Sequence, residues 1–202
     1  MKFIPNLLSS GRLVLTLFMF LALAAVGGGV PFFRLGADSH QALMNFAFWA
    51  FVIAAVTDFF DGWLARKLDA VTVWGAILDP IGDKVLVCGA ILGLLALGPQ
   101  PMVVVPSGLI LFREFTVSAL REVGAGKGIK LPVTMLAKWK TTCQLIALGA
   151  ELCLAAGQVS NPSAPGFDAL AVFAHGALWV ATLITLVTGI QYWDQTRRAL
   201  RA

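Results

Sequence analysis

Charge is scarce in this sequence. Asp, Glu, Lys and Arg make up only 13% of its 202 residues, against about 25% in ordinary soluble domains. A soluble helical bundle needs a polar outer face on its helices. Segments such as GLILF before Arg113 and ALWVATLITLVTGI near the end show little of one, which argues against that class. Cysteine and histidine are few as well. Cys88, Cys143 and Cys153 stand isolated in apolar segments, with neither metal-ligand spacing nor a disulfide framework. His40 and His175 are far apart in sequence and suggest no site. No short apolar core followed by small residues marks a cleavable signal peptide, so the first apolar run reads as a span. GAGKG at 124–128 lacks the spacing and closing hydroxyl of a phosphate-binding P-loop and reads as a turn. The formal charge of +4 gathers on no soluble basic face, so it does not point to nucleic acid.

What is abundant is apolar length. Hydrophobic residues make up 58% of the chain, and a membrane-spanning helix needs about 20 of them in near succession. Six segments qualify, at about 8–28, 43–64, 73–98, 101–120, 135–157 and 169–192. The predicted fold is therefore all-α: one polytopic membrane domain over residues 1–202, with six transmembrane helices. Lys2 and Arg12, then Arg66 and Lys67, then Arg121, Lys127, Lys130, Lys138 and Lys140, and finally Arg197, Arg198 and Arg201 fall on one side of such a topology. The positive-inside rule places that side, with both termini, in the cytoplasm. These basic clusters can also meet anionic lipid headgroups there. PQP at 99–101 and the turn-rich GQVSNPSAPG at 157–166 suit connections on the other side.

The stretch TDFFDGWLARKLDAVTVWGAILDPIGDK, residues 57–84, is out of character with its surroundings. It sets five aspartates and the Arg66-Lys67 pair between apolar runs. At about 100° per helical residue, Asp58, Asp61 and Ala65 fall within about 60° of one another, with Gly62 on the same side. Gly75, Asp79, Gly82 and Asp83 share an arc of about 100° on the next helix. Facing arcs would bring four carboxylates together near the cytoplasmic ends of spans two and three. Such acids repel one another, and burial penalises their charged forms unless cations compensate. Oxygen donors without sulfur suit hard cations such as Mg²⁺ or Mn²⁺. Gly62, Ala65, Gly75 and Gly82 leave room for close helix packing or for a ligand. A bend at Pro80 would either aim Asp79 and Asp83 or relieve packing. Asp69 lies in the connection and reads as a solvent contact. Solvent contact accounts poorly for the other four, because ionisable residues at membrane depth are costly and usually functional. An ion or proton pathway would explain the acids. Arg66 beside them argues instead for an anionic ligand.

Read as a motif, the spacing is Asp58, two residues, Asp61-Gly62, two residues, Ala65-Arg66, eight residues, Gly75, three residues, Asp79, three residues, Asp83. It resembles the complete signature of the CDP-alcohol phosphatidyltransferases, whose six-span architecture is also similar to the hydropathy pattern of nearly the whole chain. The resemblance implies displacement of CMP from a CDP-linked lipid by an alcohol, with two divalent cations, Mg²⁺ or Mn²⁺. It implies Asp58, Asp61, Asp79 and Asp83 as metal ligands and Asp83 as the general base. Asp58, Gly62, Ala65, Arg66 and Gly75 would border the CDP moiety. It also implies a homodimer in the bacterial inner membrane, among membrane lipids.

Three further segments are similar to bacterial phosphatidylglycerophosphate synthases: NLLSSGRL at 6–13, LFREFTVSALREVG at 111–124 and AKWKTTCQ at 137–144. Ala137 departs from the glycine that family often has there. This likeness implies CDP-diacylglycerol as donor and glycerol 3-phosphate as acceptor, giving phosphatidylglycerol phosphate and CMP. The cations agree with a phosphorylated acceptor. Arg113 lies deep in an apolar run, where it needs a partner. Glu114 is about 100° from it, and Arg121 about 80°, so both arginines can face one cavity. Lys138 is a third candidate for binding the acceptor phosphate. Lys140 points about 200° away from Lys138 and joins the candidates through the resemblance. Snorkelling to headgroups is the alternative reading of Arg121 and Lys138. Arg12 either sits near the cleft or anchors the first span. Other readings are a different alcohol, such as serine, inositol phosphate or choline, an ion transporter, and a silent scaffold.

Overall fold

Six helices carry the architecture. The computed structural model describes residues 3–30, 36–67, 73–128, 135–160 and 166–199, with side chains except those of residues 3–8, 59–67, 73–77, 79 and 135–138. In chain order the helices are α1 Phe3–Val26, α2 Ala37–Lys67, α3 Val73–Leu97, α4 Pro101–Gly126, α5 Met135–Ser160 and α6 Phe167–Ala199. All six are long and apolar enough to cross a membrane. The chain is thus an all-α, multi-pass membrane protein, as its hydropathy predicts.

Lipid offers no partner to a backbone N–H or C=O, so an apolar segment there satisfies its own groups by forming a helix. The helices continue beyond the apolar segments into polar sequence. α2 begins with Asp38 in its first turn, and α6 ends with Arg197 and Arg198 in its last. With 33 residues, α6 is about 50 Å long, more than the roughly 30 Å hydrocarbon thickness.

Local chemistry sets the ends. α1 closes where Gly28 takes a φ of 74°. The Gly29 N–H then reaches back to the Ala24 carbonyl at 2.7 Å and that of Gly28 to Ala25 at 3.1 Å, a left-handed glycine cap. α4 opens on Pro101 behind an extended Gln100, where the missing proline N–H costs nothing.

α1 packs on α2 and α3, while α6 packs on α4 and α5; α2 meets α5 between these groups. The shared core includes Met19, Leu23, Phe51, Leu86, Ile91, Leu148 and Leu178. Glycines bring α1 and α3 close. A Cβ on Gly93 would collide with Leu23, and one on Gly27 with the backbone carbonyl of Ala96. No more than 39% of any span is buried inside the bundle. Residues such as Phe112, Val172 and Ile190 face outward, an apolar surface that suits a lipid surround.

Candidate active site

The N-terminal halves of α1, α3 and α5 supply Arg12, Asp83 and Lys140, and the C-terminal halves of α2, α4 and α6 supply Asp58, Arg121 and Tyr192, so these residues share one end of the bundle. Arg12 reaches in from α1 and is only 2% exposed. Its Nη1 is ion-paired with Asp58 on α2 and lies 3.6 Å from Asp83 Oδ1 on α3. Gly82 makes this possible: a Cβ there would strike the Arg12 guanidinium. Its space, open to either packing or a ligand from sequence, is taken by an arginine.

Two motif carboxylates therefore meet on one cation. Their donor set is all oxygen, which fits a hard divalent ion. Among the described residues no group of three His, Cys, Asp or Glu side chains gathers. The other two motif acids fall outside the described side chains. Asp61, Gly62, Ala65 and Arg66 lie on α2, and Gly75 and Asp79 on α3; for these residues only the helix position is described.

Beside Asp83 opens a cavity of about 530 Å³, whose ionisable lining is Asp83, Lys84, Arg113, Glu114, Arg121 and Lys140. The structure thus gathers Arg113, Arg121 and Lys140 around one space. Lys138 lies on α5, and its side chain is outside those described. Lys140 is buried and paired with Glu114 Oε1. It shares a face of α5 with Gln144, four residues on, which also lines the cavity.

Glu114 sits at the centre of this network. Its Oε1 also accepts a hydrogen bond from Arg113 Nη1 at 3.3 Å. Arg113 Nη2 donates to Thr188 Oγ1 at 3.0 Å, and Gln144 Nε2 donates to Thr185 Oγ1 at 2.8 Å. A Cβ on Gly189 would lie 2.8 Å from Arg113 Cγ, so this glycine too makes room for a cation. Further along α6, the Tyr192 hydroxyl accepts from Arg121 Nη2 at 2.6 Å.

Sequence reasoning missed Glu114 as the hub, and missed Gln144, Thr185, Thr188 and Tyr192 altogether. A signal was present in α6. Thr182, Thr185, Thr188, Tyr192 and Thr196 step by three and four residues, the spacing of a single helical face. All five are buried. The threonine hydroxyls bond to carbonyls of their own helix, for example Thr185 to Ala181 at 2.6 Å and Thr196 to Tyr192 at 2.8 Å. The outer face of α6 can therefore stay apolar while its inner face is polar.

Comparison with known proteins gives a consistent result. The family model described as CDP-alcohol phosphatidyltransferase matches residues 2–190. A CDP-diacylglycerol–glycerol-3-phosphate 3-phosphatidyltransferase of Bacillus subtilis is 38% identical over 203 residues, covering 98% of this chain and 97% of the relative. Its counterpart in Cereibacter sphaeroides is 36% identical over 226 residues, covering 98% and 95%. That of Haemophilus influenzae is 33% identical over 203 residues, covering 99% and 97%.

Proposed function

Because this chain belongs to the CDP-alcohol phosphatidyltransferase family, we propose that it transfers the phosphatidyl group of CDP-diacylglycerol to sn-glycerol 3-phosphate. The products are phosphatidylglycerol phosphate and CMP. The observation that carries the choice of acceptor is the charge of the cavity beside Asp83. Four cationic side chains, Lys84, Arg113, Arg121 and Lys140, face two carboxylates, Asp83 and Glu114. The formal excess is two positive charges, which complements a phosphate monoester dianion. Serine or another acceptor without phosphate would leave that excess unanswered. The names of the relatives support the same acceptor.

The acceptor enters with its phosphate toward the arginines and its attacking hydroxyl toward Asp83. Asp83 takes the hydroxyl proton as that oxygen bonds to the phosphorus bearing the diacylglycerol. The bond from this phosphorus to the bridging oxygen breaks, and CMP leaves with the electron pair. Arg12 draws Asp58 and Asp83 toward one point, so the base is oriented before the acceptor arrives. Asp58, Asp61, Asp79 and Asp83 would hold two divalent cations, Mg²⁺ or Mn²⁺, which when bound supply positive charge for the pyrophosphate. Asp58, Gly62, Ala65, Arg66 and Gly75 border the CDP moiety in this reading, and Lys138 joins the acceptor cations. The site end faces the cytoplasm of a bacterial inner membrane, in a homodimer whose acyl substrate stays in lipid.

The test is CMP release by purified protein in detergent, with Mg²⁺, CDP-diacylglycerol and a panel of glycerol 3-phosphate, inositol phosphate, serine and glycerol. Release with glycerol 3-phosphate alone is expected, stopped by EDTA and restored by Mg²⁺. Preference for another alcohol would replace the acceptor, and folded, metal-loaded protein with no release would leave transport or an inactive relative. Asp83→Asn should lower kcat by about a hundredfold or more while nucleotide binding survives. Near-normal turnover in that variant would remove Asp83 as the base.

A further inference from the structure

Tyr192 stands behind the two arginines of the cavity, and the reaction described above makes no use of it. It is the only tyrosine in the chain and is 2% exposed. Its hydroxyl accepts the 2.6 Å hydrogen bond from Arg121. The guanidinium carbon of Arg121 lies 4.8 Å from the ring centroid, and that of Arg113 lies 5.8 Å from the same centroid. One aromatic ring serves both cations.

The arrangement answers a physical problem. Arg113 and Arg121 are separated by about 12 Å of rise along α4. Their charges repel, and each long side chain has many rotamers to lose. Arg113 is restrained by Glu114 and Thr188 as well as by the ring. Arg121 is more exposed, and among the described residues Tyr192 is the side chain it bonds to and stacks on. Without it, Arg121 would extend toward headgroups, as long cationic side chains do at a membrane surface. The negative face of the ring attracts both guanidinium groups, and the hydroxyl fixes the direction of Arg121.

We propose that Tyr192 is a positioning residue that holds Arg113 and Arg121 as a pair directed into the cavity, and thereby sets the preference for an acceptor bearing a phosphate monoester. Tyr192 acts through the arginines and does not touch the acceptor. The inference rests on the cavity being the acceptor site.

Two variants divide the contribution. Tyr192→Phe keeps the ring and removes the hydroxyl, whereas Tyr192→Leu removes both. CMP release is measured with glycerol 3-phosphate and CDP-diacylglycerol titrated separately. The KM for glycerol 3-phosphate should rise about threefold in Tyr192→Phe and about tenfold or more in Tyr192→Leu. The KM for CDP-diacylglycerol should stay within about twofold, since among the described residues the polar contacts of the Tyr192 side chain are with the two arginines and not with Asp58 or Asp83. Tyr192→Phe should add nothing to the defect of Arg121→Gln, because both changes remove the same interaction. A tyrosine that merely supports the fold would lower the unfolding temperature, weaken both substrates alike and add its loss to that of Arg121→Gln; that pattern overturns the proposal. So does an unchanged glycerol 3-phosphate KM in the variants. If Tyr192→Leu does not fold, Tyr192→Phe alone decides. The wild type is assayed first with glycerol and serine. Equal use of these alcohols would overturn the acceptor reading and this inference with it. A wild type selective for glycerol 3-phosphate, with variants unaltered, overturns the inference alone.

Discussion

At the scale of single residues, Glu114 is a carboxylate whose partners are the protein's own cations. It answers Lys140 and Arg113 in a setting where its side chain is only 12% exposed. Removing one partner of such a network strands the others in low dielectric, at a cost of about 3 kcal/mol or more. Glu114→Gln should therefore lose stability of that order in denaturant unfolding in detergent. A loss below about 1 kcal/mol would mean that water already solvates the cations. The exposed Asp194–Arg198 pair on α6 is the control, and Asp194→Asn should change stability by less than about 1 kcal/mol. The approach of Asp58 and Asp83 was legible in the sequence because the aspartate spacing repeats with the helix period; Asp61 and Asp79 lie outside the described side chains. Arg12 was harder to place. Its burial depends on the absence of a side chain at Gly82 on a different helix, and no periodicity within α1 carries that information.

At the scale of elements, apolar length was sufficient to identify six helices, because a membrane leaves the backbone few alternatives. It could not locate their ends, since α2 and α6 remain helical in polar sequence after hydropathy falls. Nor could it show which faces meet. The seam between α1 and α3 depends on glycines whose missing side chains matter only against a particular neighbour. Gly27 is the sharpest case, because its Cβ would strike main chain that has no rotamer to change. Gly27→Val should lower the unfolding temperature and the rate of CMP release, although Gly27 lies at the end of α1 away from Arg12. Gly108→Ala, with open space around the new Cβ, should leave stability within about 1 kcal/mol of the parent or raise it. Equal tolerance at the two positions would mean that α1 moves away from α3 without consequence.

At the scale of the whole molecule, the positive-inside rule predicts one orientation in the membrane from the placement of the basic residues. Lys127 and Arg197 belong to the site end, whereas Gln100 starts α4 at the other. Single cysteines in a background lacking Cys88, Cys143 and Cys153 can report it. Lys127→Cys should react with a membrane-impermeant thiol reagent only in inside-out vesicles, and Gln100→Cys only in right-side-out ones. The reverse pattern would place the site outside the cell.

The cavity draws its ionisable side chains from α3, α4 and α5, and α6 braces the arginines from behind. Asp58 of α2 and Asp83 of α3 meet on Arg12 of α1. Asp83 is where these two sets of residues adjoin. On the proposed reading the chain is modular along its length: the residues assigned to the nucleotide are encoded before the 98–100 connection, and most of those assigned to the alcohol come after it. A graft made at that connection, exchanging the second half for that of a relative with another acceptor, would be expected to inherit the donor from one parent and the alcohol from the other.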